Sequence, residues 1–147
     1  MKTILNNAKK VFFGILLTAT FLSLNSCAKT ISFLPSAVVP AAEGQVKVKK
    51  DGNKNQHIEI EIYNLAEPKN LQPPKQMYIV WMETDNNSIK NIGQIITSSG
   101  SFSRNLKAKF ETVTSYTPVK IFITAENDAN VEYPGRVVVL STNQFKR

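Results

Sequence analysis

Cysteine is almost missing from this 147-residue chain. Cys27 is the only one, so no intramolecular disulfide can form and the fold must rest on its core. Histidine is as scarce: His57 is the only one, which excludes a Cys/His zinc set. It would also have to serve any Ser-His-Asp arrangement, and no nucleophile elbow lies near it. Acidic residues do not occur before Glu43, whereas Lys2, Lys9 and Lys10 do. Helical periodicity is absent after Cys27, and so is any internal repeat. The basic residues are scattered, and no helix gathers them into a stripe, which argues against nucleic acid as a partner.

What is present begins with a leader. The three early lysines precede the apolar run Val11-Phe12-Phe13-Gly14-Ile15-Leu16-Leu17, which continues to Phe21-Leu22-Ser23-Leu24 and ends in Asn25-Ser26-Cys27. A positive start, a short apolar stretch and small closing residues describe a secretory signal, here a helical signal peptide over residues 1–26. A membrane span wants about 20 mostly apolar residues. This run is shorter, carries hydroxyl residues and has no basic stop-transfer cluster behind it. Leu24-Asn25-Ser26-Cys27 resembles the lipobox of bacterial lipoproteins, with Leu24 and Ser26 at its apolar and small positions and Asn25 where Ala or Ser is more usual. The resemblance implies cleavage before Cys27 and acylation of its thiol and freed amine. Each buried CH₂ contributes about 0.8 kcal/mol, and stable anchoring takes more than one chain. Membrane lipid is thus the expected partner of Cys27, by palmitate-type acylation. Ala28 stands where many inner-membrane lipoproteins carry aspartate, a resemblance that points to the outer membrane rather than the inner.

Without the leader, 15 cationic residues face 11 acidic ones, a net charge of about +4. Residues 27–43 contain Pro35 and Pro40 and read as a lipidated tether, whose apolar members can instead lie against the domain as an edge strand. Fully extended, Cys27 to Gln45 reaches about 60 Å, enough for the domain to stand clear of a membrane. From residue 44 to 147, period two dominates. Val46-Lys47-Val48-Lys49 alternates, Asp51-Gly52-Asn53-Lys54-Asn55 supplies a turn, and His57-Ile58-Glu59-Ile60-Glu61-Ile62-Tyr63 alternates strictly. The isoleucines point to the core, and Lys47 and Lys49 share a face with Glu59 and Glu61 if the segments pair. Met77 to Met82 is apolar on both faces, as in a central strand. Further strands are expected at 89–97, 102–110, 119–125 and 136–141. About seven strands at this spacing predict an all-β, immunoglobulin-like antiparallel β-sandwich.

Tyr78-Ile79-Val80-Trp81-Met82 followed by Asn91-Ile92-Gly93-Gln94 resembles the extracytoplasmic C-terminal domain of anti-sigma-K factors, with its Tyr-x-x-Trp strand and a glycine before the next. Ile121-Phe122-Ile123-Thr124-Ala125-Glu126, Pro134-Gly135 and Val137-Val138-Val139-Leu140 resemble its closing strand, loop and last strand. The likeness covers about residues 44–142 and implies a sandwich outside the cytoplasmic membrane. No zinc-binding anti-sigma segment and no transmembrane helix accompany it, so fold and compartment carry over and sigma regulation does not.

Candidate chemistry is sparse. His57 falls on a polar strand face, and Asp85-Asn86-Asn87 and Glu126-Asn127-Asp128 read as turns rather than calcium loops. No metal or other cofactor is expected. Glu59 and Glu61 share one face with Cα atoms about 6.6 Å apart, a spacing comparable to paired glycosidase carboxylates. That motivates an alternative, a hydrolase acting on envelope glycans or peptides. Their lysine neighbours and solvent exposure oppose the raised pKa that acid catalysis needs. Trp81 reads as core, whereas Tyr116 and Tyr133, near loops, are the candidates for surface recognition. The sequence therefore points to a non-enzymatic, membrane-anchored envelope lipoprotein with an interaction or sensory module, its partner an envelope protein or glycan.

Overall fold

The computed structural model describes residues 28–98 and 106–146; the expected signal peptide and Cys27 lie outside them. The described chain is all-β. Its strands are β1 (Lys29–Ser32), β2 (Glu43–Lys50), β3 (Gln56–Tyr63), β4 (Met77–Thr84), β5 (Ile89–Ser98), β6 (Lys107–Thr114), β7 (Pro118–Glu126) and β8 (Val138–Ser141). All neighbours are antiparallel, in the order β1-β2-β3-β6-β5-β4-β7-β8. The ladder folds into two four-stranded sheets, β1-β2-β3-β6 and β5-β4-β7-β8, the sandwich the strand spacing predicts. Pairing of β3 with β6 and of β4 with β7 corresponds to the B–E and C–F pairs of an immunoglobulin-like domain.

One strand belongs to both sheets. β5 pairs with β4 through Ile95 and with β6 from Ile96 to Ser98. A bulge precedes the change of partner: Val80 faces Gly93 while Trp81 faces Asn91, so Ile92 is the extra residue. Gly93 adopts φ +139°, and a Cβ there would come within 2.8 Å of the Phe110 ring. At the opposite margin Phe33 bridges Thr142, and the Leu34 N–H donates to the Ser141 carbonyl at 2.8 Å. The ladder therefore closes on itself.

The inner faces carry the alternating residues of each strand. Ile58, Ile60 and Ile62 of β3 are at most 1% exposed and meet Tyr78, Val80 and Met82 of β4, all fully buried. Each such side chain contributes about 1.5–3 kcal/mol by leaving water. Residues 29–43 are not a free tether. β1 pairs with β2, and residues 33–42 fold onto the domain, burying Val39 and Ala42. The Ser36 hydroxyl donates to the Val139 carbonyl and accepts from the Val39 N–H at 2.9 Å. The edge-strand alternative holds because β2 needs a partner on its outer edge, which leaves no long reach between Cys27 and the fold.

Tyr78 combines an apolar ring with a hydroxyl that donates to the Ala66 carbonyl at 2.8 Å. Burial pushes its pKa up to about 12. The unfolded chain then ionises near 10.0 while the folded one stays neutral, so stability falls as pH rises through this interval. The loss approaches about 2 kcal/mol. In urea titrations between pH 9 and 12, the stability difference between wild type and Tyr78→Phe should shrink by that amount; a difference independent of pH would contradict it.

Candidate functional site

The sandwich has two poles, separated by the length of its strands. β7 spans nine residues, about 26 Å at strand rise. One pole gathers the β2–β3, β4–β5 and β6–β7 turns with both ends of the described chain. The Asp85 N–H donates to the Thr117 carbonyl at 3.1 Å, the Phe145 N–H to Val119 at 2.8 Å, and Lys29 Nζ to the Lys146 carbonyl. The other pole gathers residues 33–42, 64–76 and 127–137. Tyr116 lies at the first, 46% exposed, with Lys90 Nζ 5.1 Å above its ring. Tyr133 lies at the second, 80% exposed. Both are surface residues, as expected, but β7 separates them and they do not form one site. Open grooves of about 500 and 760 Å³ flank the 33–42 segment at the second pole. Leu34 and Tyr63 line one, and Val38, Leu71 and Arg136 line the other.

Trp81 is fully buried, yet outside the main core. Along β4 it shares a face with Ile79, opposite Tyr78, Val80 and Met82, so it lies on the outer side of its sheet. Phe122 stacks beside it, ring centroids 6.3 Å apart and planes 13° off parallel. Ala129 and Val131 of the β7–β8 loop pack against the pair. The loop is held down from both sides. Asn91 Nδ2 donates to the Ala129 carbonyl at 3.0 Å. On the other side, Trp81 Nε1 donates to Thr124 Oγ1 at 2.8 Å, that hydroxyl to Glu126 Oε1 at 2.6 Å, and the Gly135 N–H to the same oxygen at 2.7 Å. Glu126, expected as part of a turn, is 7% exposed and ends β7. A Cβ at position 135 would stand 2.6 Å from Glu126 Oε2, so only glycine lets the loop approach this closely.

The outer face of the other sheet brings together residues that the sequence alone keeps apart. Glu59 faces Glu111 directly across β3 and β6, an arrangement that repels when bare. His57, one face position along β3, lies between them: Nε2 is 2.6 Å from Glu111 Oε1 and Nδ1 is 3.8 Å from Glu59 Oε1. The imidazole Nε2 is thus within hydrogen-bond distance of the Glu111 carboxylate. One imidazole nitrogen and two carboxylate oxygens within 4.8 Å of one another are also donor types that a divalent cation accepts. Glu61 is engaged elsewhere. Lys109 Nζ sits 3.0 Å from it, and this hydrogen bond and charge hold the Glu61 carboxyl below its ordinary range. The shift is opposite to what a general acid requires. Lys47 and Lys49 share this face with Glu59 and Glu61, as the hairpin reading expects; Lys47 pairs directly with Glu59, Lys49 with His57 and Gln45 with Glu61.

Comparison with protein-family models, with curated proteins and with solved structures returns no match to this chain.

Proposed function

We propose that this chain is a lipid-anchored protein of the bacterial cell envelope whose β-sandwich is a non-enzymatic interaction module. The observation that carries the reading is the Leu24-Asn25-Ser26-Cys27 end of the apolar leader, with the folded domain starting at Lys29, directly behind that thiol. The pKa of Glu61, lowered by its hydrogen bond to Lys109, is shifted away from what a general acid needs and weighs against the hydrolase reading. Ala28 supports an outer-membrane address. The resemblance to the anti-sigma-K extracytoplasmic domain supports a compartment outside the cytoplasmic membrane. Recognition of an envelope protein or glycan fits the far pole, where Tyr133 and the two grooves lie.

Metabolic labelling with a palmitate analogue tests the anchor. Wild type should incorporate label and lose residues 1–26, whereas Cys27→Ser should incorporate none and keep its leader. An unlabelled wild type with an intact leader would overturn the proposal.

A further inference from the structure

We propose that the pole bearing Lys29 is a membrane-contact surface that docks on anionic phospholipid headgroups of the bilayer holding Cys27. The inference rests on the proposed anchoring and adds an orientation to it. Two observations carry it. The first is chain length. Cys27 is two residues from Lys29, about 7 Å of chain at most, and Lys29 pairs with Val48 near the end of β2. An anchor there holds this pole at the headgroup layer, because no linker remains to lift the domain away. The second is charge. Residues 28–30, 49–57, 83–90, 112–120 and 142–146 make up this pole and carry seven lysines against Asp51, Glu83 and Asp85, a balance of +4. The remaining described residues carry six cations and eight carboxylates, a balance of −2. Of the three acids, Asp51 is occupied by its own turn, accepting from the Asn53 and Asn55 N–H groups.

The apolar members of the same rim fit an interface. Ile89, Val113 and Tyr116 are 46%, 60% and 46% exposed, and Tyr and Lys side chains both place an apolar body and a polar tip at such a boundary. Lysines attracted to an anionic surface act additively within a Debye length. The far pole, with its grooves and Tyr133, then points away from the bilayer.

The test uses the full chain extracted from membranes and reconstituted into vesicles, with a dye on Ser115→Cys at the rim or on Tyr133→Cys at the far pole. Quencher-labelled headgroups report proximity. In phosphatidylglycerol-containing vesicles the Ser115→Cys dye should be quenched and the Tyr133→Cys dye should not. The rim signal should fall in pure phosphatidylcholine. It should also fall with Lys49→Gln/Lys50→Gln/Lys54→Gln, each lysine lowering the docked-to-undocked ratio roughly five-fold. The charge reversal Lys49→Glu/Lys50→Glu/Lys54→Glu should abolish it, with circular dichroism confirming the fold. Equal quenching at both positions, or a rim signal indifferent to lipid charge, overturns the orientation. Mass spectrometry of the N-terminal peptide from the same samples reads acylation separately. An acylated chain with an unquenched rim sinks this inference alone, and a quenched rim on an unacylated chain sinks the lipoprotein reading while the charged surface stands.

Discussion

Trp81→Ala is expected to cost about 4 kcal/mol, the middle of the range for truncating a buried aromatic. The side chain is fully buried, and the variant loses both the stack on Phe122 and the hydrogen bond to Thr124. Removing it leaves a cavity between a sheet and a loop, where two walls anchored by Asn91 and Glu126 resist collapse. Domains of this size hold roughly 5–15 kcal/mol in total, so the variant should sit near the edge of folding. Its urea midpoint should drop clearly more than that of Trp81→Phe, which keeps a stacked ring and gives up the indole N–H bond and part of the ring volume. Equal midpoints for the two substitutions would mean that the ring packing contributes little.

Glu126→Ala should cost about 2–3 kcal/mol, since it leaves the buried Thr124 hydroxyl and the Gly135 N–H without their acceptor. The loss is local before it is global. With one side of the β7–β8 loop released, its contacts over Trp81 through Ala129 and Val131 loosen. Trp81 is the only tryptophan in the chain, so fluorescence reports the opening directly. Acrylamide should quench the Glu126→Ala variant well below its unfolding midpoint and leave wild type shielded. Gly135→Ala should give the same phenotype from the other side, because its Cβ would drive the loop off the carboxylate. A shielded Trp81 in both variants would show that the loop is held by something other than this carboxylate.

Period two made most of the sandwich legible. The strict alternation of His57 to Tyr63 placed three isoleucines in the core, and the two-sided apolar run of β4 marked it as a central strand. The weaker readings share a cause: their signal lies in partners far along the chain. β6 was expected at 102–110 and runs Lys107–Thr114, because its inward residues, Ala108, Phe110 and Thr112, give a thin apolar rhythm. With that register unsettled, Glu111 could not be placed opposite Glu59 or beside His57. β1 is four residues long and reads as linker until β2 is seen to need an outer neighbour. Alternation does put Trp81 on the opposite face from Tyr78 and Val80. What covers that face is a loop some 50 residues later, and no local pattern connects the two. A neighbourhood of turns marks Tyr116 and Tyr133 as exposed, while their separation depends on β7 running between them. Cys27 lies outside the described residues.

The closure of the ladder has its own consequence for how such a protein behaves at high concentration. Its two outermost strands, β1 and β8, are four residues each, and the Phe33–Thr142 bridge joins their margins. A row of unsatisfied backbone groups is what lets neighbouring copies zip together into fibrils, and it is also what lets a foreign peptide add itself as a strand. Here part of that row is taken internally, by the Phe33–Thr142 bridge and the Leu34 N–H bond to the Ser141 carbonyl. At that margin a strand from another copy would have to displace the bond the chain already makes with itself.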